Sequence, residues 1–416
     1  MGPEVQIVLA ALAGLALAPG CGSGAARSKD AAMATDANDA STSLWETVVQ
    51  PLLYSWYTSV SLGPPGTIYA LQQDDGAYVG DGGMQDWSIT SSHDDGQTWT
   101  TAQIPMTDNT IPEVSSVVAI GATDVYAFGY TIIPPAFGNT VITSPPLVAK
   151  STDSGATFTQ LNPTFSGILF AGGADGAGNP IGAGGATDGG FFVRSTDGGA
   201  SWSRVAVAGT NILYGLWATA SGTIYACGAP AATPGRPDGG TPAARPDGGT
   251  DAGRPDGGAD AGDGGMAAAP GGVVVRSDDD GNSWTTVTAT PNILWAISGT
   301  SDGARVIAVG DGYTQVESAD SGASWSIYNG AYPTNYENGA SSFSSVWLPA
   351  GTLSAPYIAD GAPYVVTGLT LVGHLAFAAG INEALPADSQ GLQSAIAVAG
   401  NATEVWAVGH GIFRRR

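Results

Sequence analysis

Charge is what this chain has least of. Only 12% of its 416 residues are Asp, Glu, Lys or Arg, about half the usual share. Lys and Arg number 13 against 36 Asp and Glu, a formal net charge of −23 at pH 7. A surface this acidic carries no electrostatic footprint for nucleic acid or for an anionic membrane. Scarce Lys, Arg and Glu beside abundant Gly, Thr, Ser and Val also exclude a helix bundle or coiled coil. Cysteine is nearly absent, and Cys21 and Cys227 cannot build a disulfide framework. His93, His374 and His410 are scattered without metal-ligand spacing, so neither metal nor cofactor is expected. What is plentiful is core material. Hydrophobic residues reach 43%, with 11 Trp and 14 Tyr, which excludes global disorder.

The first residues carry an address. Val5 to Ala18 is apolar but short of the ~20 residues that span a bilayer, the length of a signal-peptide core, so residues 1–20 are expected to be a signal peptide. It runs into Leu17-Ala18-Pro19-Gly20-Cys21, which resembles a bacterial lipobox. That resemblance implies acylation of Cys21 and export to the cell envelope, or secretion, with the membrane reached only through the lipid. Residues 21–43 are small, polar and aperiodic, a disordered tether in composition. Cys227 then has no partner, and its strand-like context, Thr223-Ile224-Tyr225-Ala226-Cys227, predicts a buried, inert thiol.

One phrase recurs five times: Ser92-x-Asp94-x-Gly96-x-x-Trp99, Ser151-x-Asp153-x-Gly155-x-x-Phe158, Ser195-x-Asp197-x-Gly199-x-x-Trp202, Ser277-x-Asp279-x-Gly281-x-x-Trp284 and Ser318-x-Asp320-x-Gly322-x-x-Trp325. Thr or Ser precedes each aromatic. Asp accepts bonds from its own turn and Gly supplies positive φ, so the phrase reads as a structural hairpin. The pattern resembles the Asp-box, or BNR repeat, of sialidases, some xyloglucanases, sortilin-type receptors and photosystem II assembly factors. That resemblance implies an all-β propeller.

The aspartates are 59, 44, 82 and 41 residues apart. The long interval holds a low-complexity tract, residues 231–270, in which Arg-Pro-Asp-Gly-Gly begins at Arg236, Arg245 and Arg254. Without its 40 residues that interval is 42, and a unit of about 42 residues has the length of a four-stranded propeller blade. Inner strands are expected at Tyr54–Leu62, Val114–Gly121, Gly167–Gly172, Asn211–Ala218, Asn292–Trp295, Phe343–Gly351 and Leu392–Gly400, which makes residues 44–416 a single seven-bladed β-propeller. The last unit stops after three strands. Leu44–Val49 supplies the missing fourth and closes the ring, removing an open edge.

Insertions Gln72–Asp86, Thr131–Pro145 and the tract all follow second strands, on the face away from the box turns. Long loops on one face are where function gathers. Trp56, Tyr214, Trp295 and Trp347 are the ligand candidates there, against the plainer reading that they fill blade interfaces. No catalytic residue is assigned. A sialidase needs three converging arginines, and once those beside the boxes, in the tract and at the termini are set aside, only Arg204 and Arg305 remain. The expected function is non-catalytic binding of a protein or glycan by a monomer. The competing reading is a glycoside hydrolase working through a carboxylate pair, with Asp74, Asp75, Asp81 and Asp86 in a suitable loop.

Overall fold

The structure, a computed structural model, describes residues 45–49, 55–74, 86–105, 111–132, 145–231, 271–312, 314–329, 345–347, 364–366, 371–376, 379–384, 395–400, 404–409 and 411–415. The leader, Cys21, the tether, the tract beyond Ala231 and the tips of the other two insertions lie outside these residues.

Every regular element among them is a β-strand. After β1 (Trp45–Val49) come antiparallel meanders. β2 (Ser55–Leu62), β3 (Ile68–Asp74), β4 (Asp86–Ser92) and β5 (Thr100–Gln103) form one sheet. β6 (Ile111–Ile120), β7 (Asp124–Ile132), β8 (Pro146–Ser151) and β9 (Thr159–Leu161) form the next. An eight-stranded sheet follows. It holds β10 (Ile168–Ala174), β11 (Pro180–Ala186), β12 (Gly189–Arg194) and β13 (Ser203–Ala206), then β14 (Thr210–Ala218), β15 (Ile224–Pro230), β16 (Gly272–Ser277) and β17 (Thr285–Thr290), joined only where Gly185 meets Ile212. β18 (Leu294–Gly299), β19 (Val306–Gly310), β20 (Thr314–Ser318) and β21 (Ser326–Asn329) make a further sheet. So do β22 (Ser345–Trp347), β23 (Tyr364–Val366), β24 (Leu371–Ala376) and β25 (Ala379–Ala384). The inner strand expected across Phe343–Gly351 is described only over β22.

β26 (Ala395–Gly400), β27 (Val405–Gly409) and β28 (Ile412–Arg415) end the chain and take β1 as their fourth strand. Trp45 lies opposite Arg415, Glu46 opposite Arg414 and Thr47 opposite Phe413. Trp45 is 2% exposed. First strands of successive meanders touch in order, β2–β6–β10–β14–β18–β22–β26, and β26 touches β2 again. The arrangement is propeller-like.

Burial explains the composition of each strand. Second strands such as β19 (VIAVG) and β27 (VWAVG) are buried throughout because neighbouring sheets cover both faces; such strands read as continuous apolar runs rather than alternating ones. Fourth strands such as β5 (TTAQ) and β13 (SRVA) are polar and largely exposed, as the outer rim requires.

Sheets are clasped to one another by a recurring pair, an aromatic on the second strand and a cation on the third. Lys150 lies over Tyr126, Arg276 over Tyr225 and Arg414 over Trp406, at 5.1, 5.6 and 5.3 Å from the ring centroids. Each cation donates to a carbonyl in the following sheet's repeat turn: Lys150 to Gly198 at 3.2 Å, Arg276 to Ser321 at 2.7 Å and Arg414 to Asp95 at 2.7 Å. The hydroxyls of Tyr126 and Tyr225 donate to the same carbonyls of Gly198 and Ser321. Lys150 and Arg276, which stand just before boxes, are therefore structural, and so is Arg194, which pairs with Asp175 and with Asp280 of the following turn.

Candidate functional site

The five repeated turns join third to fourth strands and repeat one bonding scheme. The Ser hydroxyl (Ser92, Ser151, Ser195, Ser277 or Ser318) donates to the Asp carboxylate at 2.7–2.9 Å and accepts from the Gly amide at 2.7–2.9 Å. The Asp accepts again from the amide of the Thr or Ser four residues on, at 2.8–2.9 Å, and from its hydroxyl at 2.5–2.6 Å. Each indole except in the Phe158 turn donates to its own Gly carbonyl at 3.0–3.2 Å. These hydroxyl and amide bonds hold the carboxyls of Asp94, Asp153, Asp197 and Asp320 down at about 2. Asp279 is lowered for the same reason. Both oxygens of every carboxylate are thus engaged inside one turn. The structure does not bring the five aspartates together.

Each turn places two successive residues at positive φ. The second is Gly96, Gly155, Gly199, Gly281 or Gly322; the first is Asp95, Ser154, Gly198, Asp280 or Ser321. A Cβ on the second glycine would fall 2.1 Å from the Phe192 ring at Gly281 and 2.9 Å from the Trp406 ring at Gly96. Glycine is needed twice over, for the backbone and for the approach to the preceding sheet.

The opposite end is where side chains converge without being consumed. Residues skipped in the first-to-second strand pairing form β-bulges, among them Thr58, Ser115, Phe170, Tyr214 and Trp295. A bulge re-aims its side chain out of the pleat. At four of these bulges, all but that of Thr58, the facing residue is a glycine, Gly129, Gly184, Gly228 or Gly310, where a Cβ would lie 1.8–2.0 Å from a carbonyl in or just before the first strand. Three adjacent bulges carry aromatics, and these meet in a line. Phe170 and Tyr214 have ring centroids 5.2 Å apart, and Tyr214 and Trp295 4.5 Å. Tyr130, at the end of β7, extends the line at 6.2 Å from Phe170. Phe170, Tyr214 and Trp295 are half-buried and Tyr130 is buried.

Carboxylates accompany this arc. Asp311, in the loop after β19, accepts from the Trp295 indole at 2.6 Å. Burial, then the Asp311 charge, raises the Tyr214 phenol. Glu113 on β6 is itself raised by burial. Tyr130 is pushed up to about 12 by burial and, second, by Glu113. Trp56 donates to Gln73 at 3.0 Å, and Gln72 bonds Asp74 at 2.8 Å. Buried Trp87 Nε1, Ser88 Oγ and Gln315 Nε2, at the same ends of their third strands, have no partner among the described residues.

Tyr214 and Trp295, expected at the mouth, pack on each other across two sheets while staying half-exposed. Trp56 lies at the same end, and Trp347 ends β22. Phe170, Tyr130, Glu113 and Asp311 were not singled out by sequence. The missed signal is a second repeat: Gly167-Ile168-Leu169-Phe170-Ala171, Asn211-Ile212-Leu213-Tyr214-Gly215 and Asn292-Ile293-Leu294-Trp295-Ala296. Arg204 and Arg305 are bound elsewhere, to Asp188 and Glu317, each at 2.6 Å. Asp75 and Asp81 lie outside the described residues; Asp74 and Asp86 face each other in the β3–β4 ladder. Among the described residues no group of three or more His, Cys, Asp and Glu is placed to hold a metal, and no helix is long and apolar enough to cross a membrane.

No protein-family model matches the chain, and no curated protein sequence matches it. Solved structures do. YCF48 bound to D1 peptide superposes with a TM-score of 0.52 at 14% identity, covering 89% of this chain and 96% of that one. YCF48 from Cyanidioschyzon merolae gives 0.48 at 11% identity over 89% and 98%. At such identity the first likeness is one of fold, and the chain is an all-β, propeller-like protein similar in architecture to YCF48.

Proposed function

We propose that the chain is an exported, lipid-anchored, seven-bladed propeller on Asp-box turns that holds a protein partner at its aromatic end and catalyses no reaction. The closed order of first-strand contacts and the pairing of β1 with β28 support seven blades. The observation that carries the binding role is the bulge-directed line Tyr130–Phe170–Tyr214–Trp295. It crosses four meanders on the end remote from the turns. Rigid aromatics presented by a scaffold suit recognition, because little side-chain entropy is lost when they are covered. The clasps between sheets keep that scaffold stiff. A propeller of similar architecture has been solved with a peptide bound, an analogy of fold only.

The test uses the chain without its leader against peptide arrays, glycan arrays and fluorogenic glycosides. Peptide binding that disappears in Trp295→Ala, with the thermal midpoint held, supports the reading. Glycoside turnover abolished by Asp74→Asn or Asp311→Asn refutes it. For the anchor, labelled palmitate enters the parent and not Cys21→Ser; a parent without label has no anchor.

A further inference from the structure

We propose that the partner of the aromatic end is basic: an extended peptide segment whose Lys or Arg side chains lie over the line of rings Phe170, Tyr214 and Trp295 and face Asp311 and Glu113. This rests on the protein-binding reading above and adds the chemistry of what is bound.

The molecule itself shows the arrangement that such a segment completes. Among the described residues four cations sit over aromatic rings: Lys150 on Tyr126, Arg204 on Phe191, Arg276 on Tyr225 and Arg414 on Trp406. Each also has a carboxylate: Asp124, Asp188, Asp278 and Glu46 respectively. Ring, cation and carboxylate recur as a unit. At the opposite end the described residues supply two of the three parts. The rings of Phe170, Tyr214 and Trp295 are in line, Asp311 is bonded to Trp295, and Glu113 stands by Tyr130. None of the four cation–ring pairs involves these residues. The ion pairs of Lys150, Arg194, Arg204, Arg276, Arg305 and Arg414 use other acids.

Physical chemistry fixes the sign of the missing part. Ring faces are electron-rich and attract cations, more strongly as water is removed. A half-buried carboxylate beside them adds attraction and disfavours an acidic or phosphorylated guest. The net charge of −23 draws basic partners from a distance and repels acidic ones. A neutral glycan would stack on the rings but would leave Glu113 without compensation.

Competing places in the molecule carry less. The recess beside the fifth turn is lined by Glu317 and Asp320, already bonded to Arg305 and Ser324. Cys227 is buried, and its burial pushes the thiol far up.

The experiment measures fluorescence polarisation of three labelled peptides of one length, bearing Lys and Arg, Gln, or Glu at alternate positions, against the leaderless chain. The basic peptide is expected to bind at least about tenfold tighter than the Gln peptide, weakening steeply with added salt. Asp311→Asn with Glu113→Gln should lower its affinity about tenfold or more, whereas Asp278→Asn at the turn end should not. Near-ultraviolet circular dichroism checks that each variant is folded. If the Gln or Glu peptide binds as well, and that binding is lost in Trp295→Ala, the charge assignment is overturned while the binding role stands. If no peptide binds and an oligosaccharide does, both are overturned.

Discussion

Removing the closing strand tests how the chain holds itself in a ring. Trp45 opens β1, is 2% exposed and sits in the ladder opposite Arg415. Trp45→Ala removes a fully buried indole, a change that costs about 3–5 kcal/mol. Unfolding entropy of about 2.1 cal/mol/K per residue, over the roughly 370 residues from Trp45 onward, converts this into a midpoint shift of about 4–6 °C. Glu46→Ala is the control. It removes the pair with Arg414 from a carboxylate 53% exposed, and about 1 kcal/mol or less is expected. Deleting Trp45–Val49 altogether should exceed the Trp45→Ala loss, because it also strips the β28 edge of its partner and leaves it open to other chains. Differential scanning calorimetry reads all three at one scan rate. A deletion whose midpoint stays within a degree of the parent would show that β1 is not what closes the structure, and the reasoning would fail.

Three other outcomes follow from the same geometry. Ser154 and Ser321 hold φ of 59° where the third turn has Gly198; Ser154→Gly or Ser321→Gly should stabilise by roughly 0.5–1 kcal/mol in denaturant titration, whereas Gly281→Ala, 2.1 Å from the Phe192 ring, should destabilise by at least about 2 kcal/mol. The turn carboxylates have folded pKa values depressed to about 2 against about 3.9 unfolded. Their contribution is therefore complete above pH ~4 and disappears as the pH falls through about 2; urea midpoints measured from pH 5 to 2 should fall across that window, and a flat profile contradicts it. Cys227, 0% exposed with its thiol raised by burial, should be silent to a disulfide reagent at pH 8 until denaturant is added, and rapid labelling of the native chain would refute its burial.

The strand ladders were legible because two local signals coincide. Each turn is self-contained in eight residues, so Ser277, Asp279 and Gly281 announce it wherever the chain goes next. Apolar runs such as Val306–Gly310 are set by burial on both faces. The arc was legible only in part. Tyr214 and Trp295 stood out as large aromatics on inner strands, but Phe170 did not: the bulge that aims it leaves no mark in a period-two pattern, and only the Ile-Leu-aromatic repeat that it shares with Tyr214 and Trp295 signals it. Asp311 and Glu113 were missed because the rings that they meet, Trp295 and Tyr130, lie on neighbouring strands, and strand pairing rather than local sequence brings them together. The cations beside the boxes, set aside in the search for an arginine triad, reach the following sheet, a contact between residues 45 apart in Arg276 and Ser321.

By itself, then, the sequence determined the units: which residues turn, which extend, and which strand at each terminus lacks a mate, all properties written in segments of about 40 residues or fewer. Tertiary structure decided what the units do to one another. Where Gly184, Gly228 and Gly310 let a first strand bulge, side chains from successive meanders meet, and such meetings depend on distances between strands that no local pattern encodes.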